Sequence, residues 1–328
     1  MRLPPPIATA LAGFLLLFST QAQATDANMT QLDARLSSVA HRITASNAPL
    51  CRYSMPGLGL SMISRDQYSD TPYDQPHPAF IDDSRVALSA VAAGGPAARA
   101  GLRAGDALWL AGGEPLPERR EEDQFRYISV FGALAERDPA APVTLSVSRG
   151  EYLTEVTVEP VPACRSLIEI FPSNEKFARA NAEIVQISSA LAATLDDGQL
   201  AVVVAHELAH QVLEHRRRLE EAGVRKGLLA EFGKNARRNR RAEMEADRLS
   251  VHLLANAGFD PMLAPHFWRS ETGAEREGGW LRSRAYPSRE ARAEAMEAEI
   301  TRWNLSANQF SAAAPLVAWR DRSIDIED

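Results

Sequence analysis

Cysteine is scarce in this chain: Cys51 and Cys164 are the only two among 328 residues. That excludes a disulfide-dense mini-scaffold and a cysteine-rich metal site. Lysine is scarce as well, so the basic residues are overwhelmingly arginine, and acidic residues outnumber them, 43 against 36, for a formal net charge of −7. A nucleic-acid binder needs a concentrated basic surface, and this balance argues against that class. Beyond residue 24 no stretch is long and apolar enough to span a bilayer. Nothing in the composition points to disorder, since 45% hydrophobic and 24% charged residues are ordinary globular proportions. The length allows roughly two domains.

The longest apolar run stands at the start. Arg2 gives a weakly positive beginning, Ile7 to Phe18 forms an apolar core, and Ala22-Gln23-Ala24 is an A-x-A cleavage site. Residues 1–24 therefore read as a signal peptide cleaved after Ala24, and the mature chain is expected to be exported and soluble, in the periplasm. No cysteine follows the site, which argues against a lipoprotein anchor. Thr30 to Asn47 then has helical periodicity through Leu32, Leu36, Val39 and Ile43. In an oxidising compartment a lone pair of cysteines suggests a disulfide, so Cys51 and Cys164 are expected to bridge.

The chemistry concentrates in Ala201 to His215, where His206-Glu207-Leu208-Ala209-His210 forms the pattern H-E-x-x-H. On a helix, positions i and i+4 are about 40° apart around the axis and about 6 Å apart along it, so two imidazoles can close on one metal ion. Two neutral nitrogen ligands suit Zn²⁺, and Glu207 beside them could take a proton from an activated water. Asp196 and Asp197 supply helix-start chemistry ahead of an apolar run.

A third ligand is needed. Leu213 and Arg216 stand where a metzincin requires Gly and His, and the inverted H-x-x-E-H pattern fails at Gln211. A later helix, Arg241 to Asp260, offers Glu243 and Glu245, with an apolar stripe of Ala242, Ala246, Leu249, Leu253 and Leu254, and Gly258 as a C-terminal cap. Glu243 and Asp247 are four apart, on one face.

The H-E-L-A-H segment, then Glu243-Met244-Glu245-Ala246-Asp247, then Ala257-Gly258-Phe259-Asp260-Pro261, resembles the HtpX and CAAX-prenyl-protease type of zinc metallopeptidases, family M forty-eight. The resemblance implies Glu243 as third zinc ligand, with Glu245 the competitor, and Asp247 as a group orienting a ligand imidazole. Asn174 to Leu191 resembles the family's cleft-lining strand, which can pair with an extended peptide. Tyr286-Pro287-Ser288-Arg289-Glu290-Ala291-Arg292 resembles the family's H-P-S-x-x-x-R. Arg292 fits that motif, and Tyr286 replaces its histidine, leaving a phenol that could donate to an oxyanion or cap a turn.

Between the cysteines, Gly94-Gly95-Pro96-Ala97-Ala98-Arg99-Ala100-Gly101-Leu102-Arg103-Ala104-Gly105-Asp106 resembles the G-S-P-A-x-x-A-G-L-x-x-G-D segment of PDZ domains. Gly57-Leu58-Gly59-Leu60 stands where such domains carry their carboxylate-binding loop, Glu122 to Glu136 would be the groove helix, and Val143 to Val147 and Glu155 to Val161 closing strands. The resemblance implies capture of peptide C-termini by strand addition.

The combined expectation is an α+β chain: a gluzincin-like, mainly helical zinc peptidase with a small sheet, formed by 25–51 and 164–305, with a β-rich PDZ domain inserted at 52–163 and a tail at 306–328. The residues expected to act are Glu207, Asp247, Tyr286 and Arg292, with one Zn²⁺ on His206, His210 and Glu243. Misfolded or misassembled envelope proteins are the substrates the resemblance implies. A PDZ-based binding or chaperone-like protein with a structural or latent zinc, or a processing enzyme with one partner, are the alternatives. The arginine-rich stretch 216–241 reads as a solvated helix pair, a lid, or a surface for peripheral membrane contact. His215 and His252 read as surface or packed histidines rather than extra ligands.

Overall fold

The computed structural model describes residues 11–68, 86–224, 233–276 and 287–325. Tyr286, residues 225–232 of the arginine-rich stretch and the first ten residues of the expected signal peptide lie outside the described residues. In chain order the elements are α1 (Leu11–Ser46), β1 (Ser54–Gly57), β2 (Leu60–Ser64), β3 (Val86–Val91), α2 (Pro96–Arg99), β4 (Ala107–Ala111), β5 (Glu114–Pro115), α3 (Arg126–Ala135), β6 (Val143–Arg149), β7 (Tyr152–Val158) and β8 (Val161–Cys164). They continue with β9 (Leu167–Phe171), β10 (Ala178–Ala180), β11 (Ile184–Ser188), α4 (Ser189–Ala192), α5 (Asp197–Val212), α6 (His215–Glu221), α7 (Gly233–Asn256), α8 (Leu263–Arg269), α9 (Glu271–Arg276), α10 (Arg289–Trp303) and α11 (Ala314–Val317). This is a mixed helix and sheet architecture, compatible with α+β.

The strands form three sheets. The largest is antiparallel, in the order β2-β3-β4-β6-β7 with β5 paired to β4. A second has the order β10-β11-β9, with β11 parallel to β9 and antiparallel to β10. The third is the pair β1-β8, in which Ser54 faces Cys164 and Gly57 faces Val161. Two apolar cores correspond to these layers. One gathers Val86, Leu88, Leu108, Leu145 and Val147 of the large sheet against Val130, Phe131 and Leu134 of α3. The other gathers Leu32, Leu36, Val39 and Ile43 of α1 with the helices α5 and α7. Alternation along β9 joins them: Leu167 belongs to the first core and Ile168 to the second.

Cys51 and Cys164 are bonded, with Cα atoms 5.5 Å apart, across a sequence separation of 113. The bond lies at the end of the β1-β8 pair, where the chain enters and leaves the segment between the cysteines. A cross-link around a loop this long stabilises by about 4–5 kcal/mol in the chain-entropy treatment. Replacing both cysteines by serine should therefore lower the unfolding free energy by about 2–4 kcal/mol in urea titration. A loss under about 1 kcal/mol would show that the strand pair alone closes the loop.

Several element ends differ from the sequence reading. The α7 helix starts at Gly233, eight residues before Arg241, and α3 starts at Arg126 rather than Glu122. The segment after Leu305 is a packed part of the core: Ala313, Leu316, Trp319 and Ile324 are buried. It also ties down the helices beneath it, since Ser311 Oγ meets His252 Nδ1 at 2.7 Å and the Arg322 carbonyl accepts from Arg218. Among the described residues no helix is long and apolar enough to cross a membrane.

Candidate metal centre

Helix α5 is started by a capping box. The Asp196 side chain accepts from the Gln199 amide, and the Gln199 side chain accepts from the Asp196 amide. Leu200 to Ala205 are all buried, which seats the helix between α1 and α7 and leaves the turn after it to carry polar groups. His206 and His210 fall on one face, and α7 brings Glu243 to them. His206 Nε2 is 3.1 Å from His210 Nε2 and 3.4 Å from Glu243 Oε2, and His210 Nε2 is 3.6 Å from Glu243 Oε1. A tetrahedral ion held at about 2.0–2.1 Å has edges of about 3.3 Å between its donors. The two imidazoles meet different oxygens of the Glu243 carboxylate, and one donor atom from each of the three residues lies within 4.8 Å of the others, so this group could hold a metal ion.

The other nitrogen of each imidazole is also engaged. Asp247 Oδ1 lies 3.1 Å from His206 Nδ1. Asp247 is wholly buried and is held by Arg292, whose Nε and Nη2 donate to its two oxygens at 2.6 and 2.7 Å. The same guanidinium reaches Glu243 at 3.2 Å and stacks 3.5 Å above the Trp268 ring. Burial disfavours charge on His206, yet Asp247 and Glu243 on either side push its pKa up to about 9. Burial would also raise Glu243, but His206, His210 and Arg292 hold it well below the usual carboxylate range. Burial keeps His210 well below the usual histidine range, with positive neighbours adding to the effect.

His210 is oriented by a chain that the sequence reading missed. His215 is buried, with its Nδ1 2.9 Å from His210 Nδ1 and its Nε2 3.1 Å from Glu245 Oε2. Glu245 is no competitor for the metal position. It is buried and receives Arg218 Nη1 at 2.6 Å and Arg241 Nε at 2.7 Å. Burial opposes its charge, but His215 and Arg218 prevail and hold its pKa at about 2. A carboxylate only accepts, so His215 carries its proton on Nε2 and offers a lone pair at Nδ1. That lone pair accepts from His210 Nδ1–H, and His210 Nε2 is left free to bind a cation. Replacing His215 by Phe should weaken zinc binding about 10- to 100-fold in competition with a chelating dye, the fold being checked by circular dichroism. An unchanged affinity would reduce His215 to a packing residue.

A left-handed residue makes this chain possible. Had α5 continued, His215 would stand five residues on and about 140° around the axis from His210. Instead α5 ends at Val212, Glu214 adopts φ 51°, and α6 starts afresh at His215. The Glu214 carboxylate is held there by Arg52 and Arg217.

Other expected residues are placed as follows. Glu207 is buried on α5 beside His206. Strand β10 is the edge of its sheet, pairing among the described residues only with β11, and it packs on α5; the Asn181 carbonyl just after it accepts from Gln211 at 3.1 Å. His252 is a packed histidine between Ser311 and Glu299. Many arginines of 216–241 form internal ion pairs, such as Arg216 with Glu220, Arg218 and Arg241 with Glu245, and Arg238 with Asp325. Gly57-Leu58-Gly59-Leu60 turns from β1 into β2, with the Leu58 and Gly59 carbonyls accepting from Ala97 and Ala92. Gly59 has φ +71°, a conformation that favours glycine. No family model matches this chain, and no curated protein sequence matches it well enough to count as a relative.

Proposed function

We propose that the chain is a periplasmic zinc endopeptidase that hydrolyses peptide bonds of misfolded or misassembled envelope proteins. One observation carries the reading: two histidine nitrogens and a carboxylate oxygen converge within 4.8 Å of one another, with Glu207 next to the first histidine on the same helix. The donor set, two imidazoles and one carboxylate, suits zinc with a position left open. Zinc bound there would polarise a peptide carbonyl and lower the pKa of a water.

The chain's own residues supply the rest. His206, His210 and Glu243 would hold the ion, Asp247 and His215 would orient the imidazoles, and Arg292 fixes Asp247 and Glu243 together. Glu207 accepts a proton from the attacking water and passes it to the leaving amine. The free edge of β10 takes an extended substrate by backbone hydrogen bonds, which bind with little sequence preference. The segment 52–163 works as a PDZ-like unit that selects substrates, and the Cys51–Cys164 bond suits an exported protein. The test is hydrolysis of an unfolded protein by the mature chain, loaded with zinc and then stripped by a chelator. Hydrolysis that survives complete removal of zinc, or a zinc-loaded and folded chain with none, would overturn the reading.

A further inference from the structure

The middle residue of the edge strand β10 is an arginine. Ala178 and Ala180 pack on the core that contains α1 and α5, so strand alternation turns Arg179 between them to the opposite face of the sheet. Its side chain is held rather than loose. Arg179 Nε and Nη2 donate to Gln186 Oε1 at 2.9 and 2.6 Å, and the guanidinium lies 5.5 Å from the Phe171 ring centroid and 4.9 Å from that of Phe177. Gln186 is fixed in turn: its Nε2 donates to Glu169 Oε1 at 2.7 Å, while the Tyr127 hydroxyl of α3 donates to Glu169 Oε2 at 2.6 Å. Arg179, Gln186 and Glu169 are direct partners in register across β10, β11 and β9. Yet Arg179 is exposed, has no ion pair among the described residues, and has no bond from Nη1 there. Glu183, in the turn to β11, is turned to Arg165 at 3.3 Å.

We infer that Arg179 selects substrates carrying an acidic side chain at the position that pairs with it across the edge of β10. A strand added to that edge brings one residue opposite Arg179, with Cβ atoms about 4.5–5.5 Å apart, a distance at which opposite charges attract and like charges repel. A guanidinium with unused donors matches a carboxylate. Stacking on two rings and the bonds to Gln186 have already ordered it, so little entropy is lost on binding. The chain as a whole pulls the other way, since a net charge of −7 disfavours acidic peptides, and a preference for them is therefore the signature of a local cation. Strand β10 runs on into Asn181, whose carbonyl accepts from Gln211, the residue after His210. The acidic residue thus falls close in sequence to the bond at the metal centre. The inference deepens the proposed function and rests on its reading of β10 as the substrate strand.

The experiment uses the full mature chain, zinc-loaded, with Glu207→Gln to prevent cleavage. The probes are three fluorescent peptides of about twelve residues, alike in a Ser and Val background but with Glu, Gln or Lys at two alternate positions, so that both fall on one face of an extended strand. At low salt the Glu peptide should bind about threefold tighter than the Gln peptide and about tenfold tighter than the Lys peptide. The differences should shrink as salt is raised. Arg179→Gln should flatten the order and Arg179→Glu should invert it, an inversion that a folding defect cannot produce. An order that is the same with Arg179 and with Arg179→Glu overturns the inference, as does binding indifferent to charge or no binding of any of the three. Hydrolysis of an unfolded protein by the chain with Glu207 present is read alongside. Hydrolysis without an acidic preference sinks the selection by Arg179 alone, and a preference that follows residue 179 without hydrolysis sinks the peptidase reading alone.

Discussion

Exchanging Glu207 for glutamine will lower the rate of hydrolysis of an unfolded protein about 10²- to 10⁴-fold, the usual worth of a positioned general base. The zinc content will stay unchanged. The two halves of this result follow from the geometry. Glu207 is not one of the three groups whose donor atoms converge, so the ion should stay on His206, His210 and Glu243. Glutamine keeps the size and most hydrogen-bonding capacity of the side chain but cannot accept a proton. The control is Glu243→Ala, which removes a donor and should lose both metal and hydrolysis. Equal activity of the Glu207→Gln and parent chains at equal zinc content would remove Glu207 from the chemistry.

Those residues were accessible to sequence reading because helical periodicity decided them locally. H-E-x-x-H needs only one helix, and the capping residues and apolar run that build it are adjacent in the chain. The resemblance favoured Glu243 over Glu245, and the course of α7 supplies the physical reason. Two residues rotate a helix by about 200°, so only one of the two can face the imidazoles, and Glu243 does while Glu245 turns to Arg218 and Arg241. His215 could not be read from sequence. Its role depends on a break at Glu214 that no glycine or proline announces, and that break is held by Arg52 from far away in the chain. The packed segment after Leu305 was equally silent, because its few apolar residues are spread over short turns with no sustained period.

Replacing Arg292 by methionine will destabilise the metal-free chain by about 3–5 kcal/mol, the cost of leaving a buried charge without its partner. The partner is Asp247, which is wholly buried and receives two parallel hydrogen bonds from the guanidinium. Glu243 loses the same guanidinium, and Trp268 loses the plane stacked upon it. Lysine will not serve, since one ammonium cannot reproduce the bidentate contact and the stacking together. Urea titration of the parent, Arg292→Met, Asp247→Asn and the double variant measures the coupling. The double variant should recover a large part of the loss, because removing the stranded carboxylate charge removes its desolvation cost. Zinc should narrow the gap between parent and Arg292→Met, as the ion takes over neutralising Glu243. A loss below about 1 kcal/mol in the single variant would mean that water or another group satisfies Asp247. Arg292 would then be a surface-like pair in a buried place, and the orientation of His206 would have to be sought in the packing of Trp268 against its ring, whose centroids lie 6.3 Å apart.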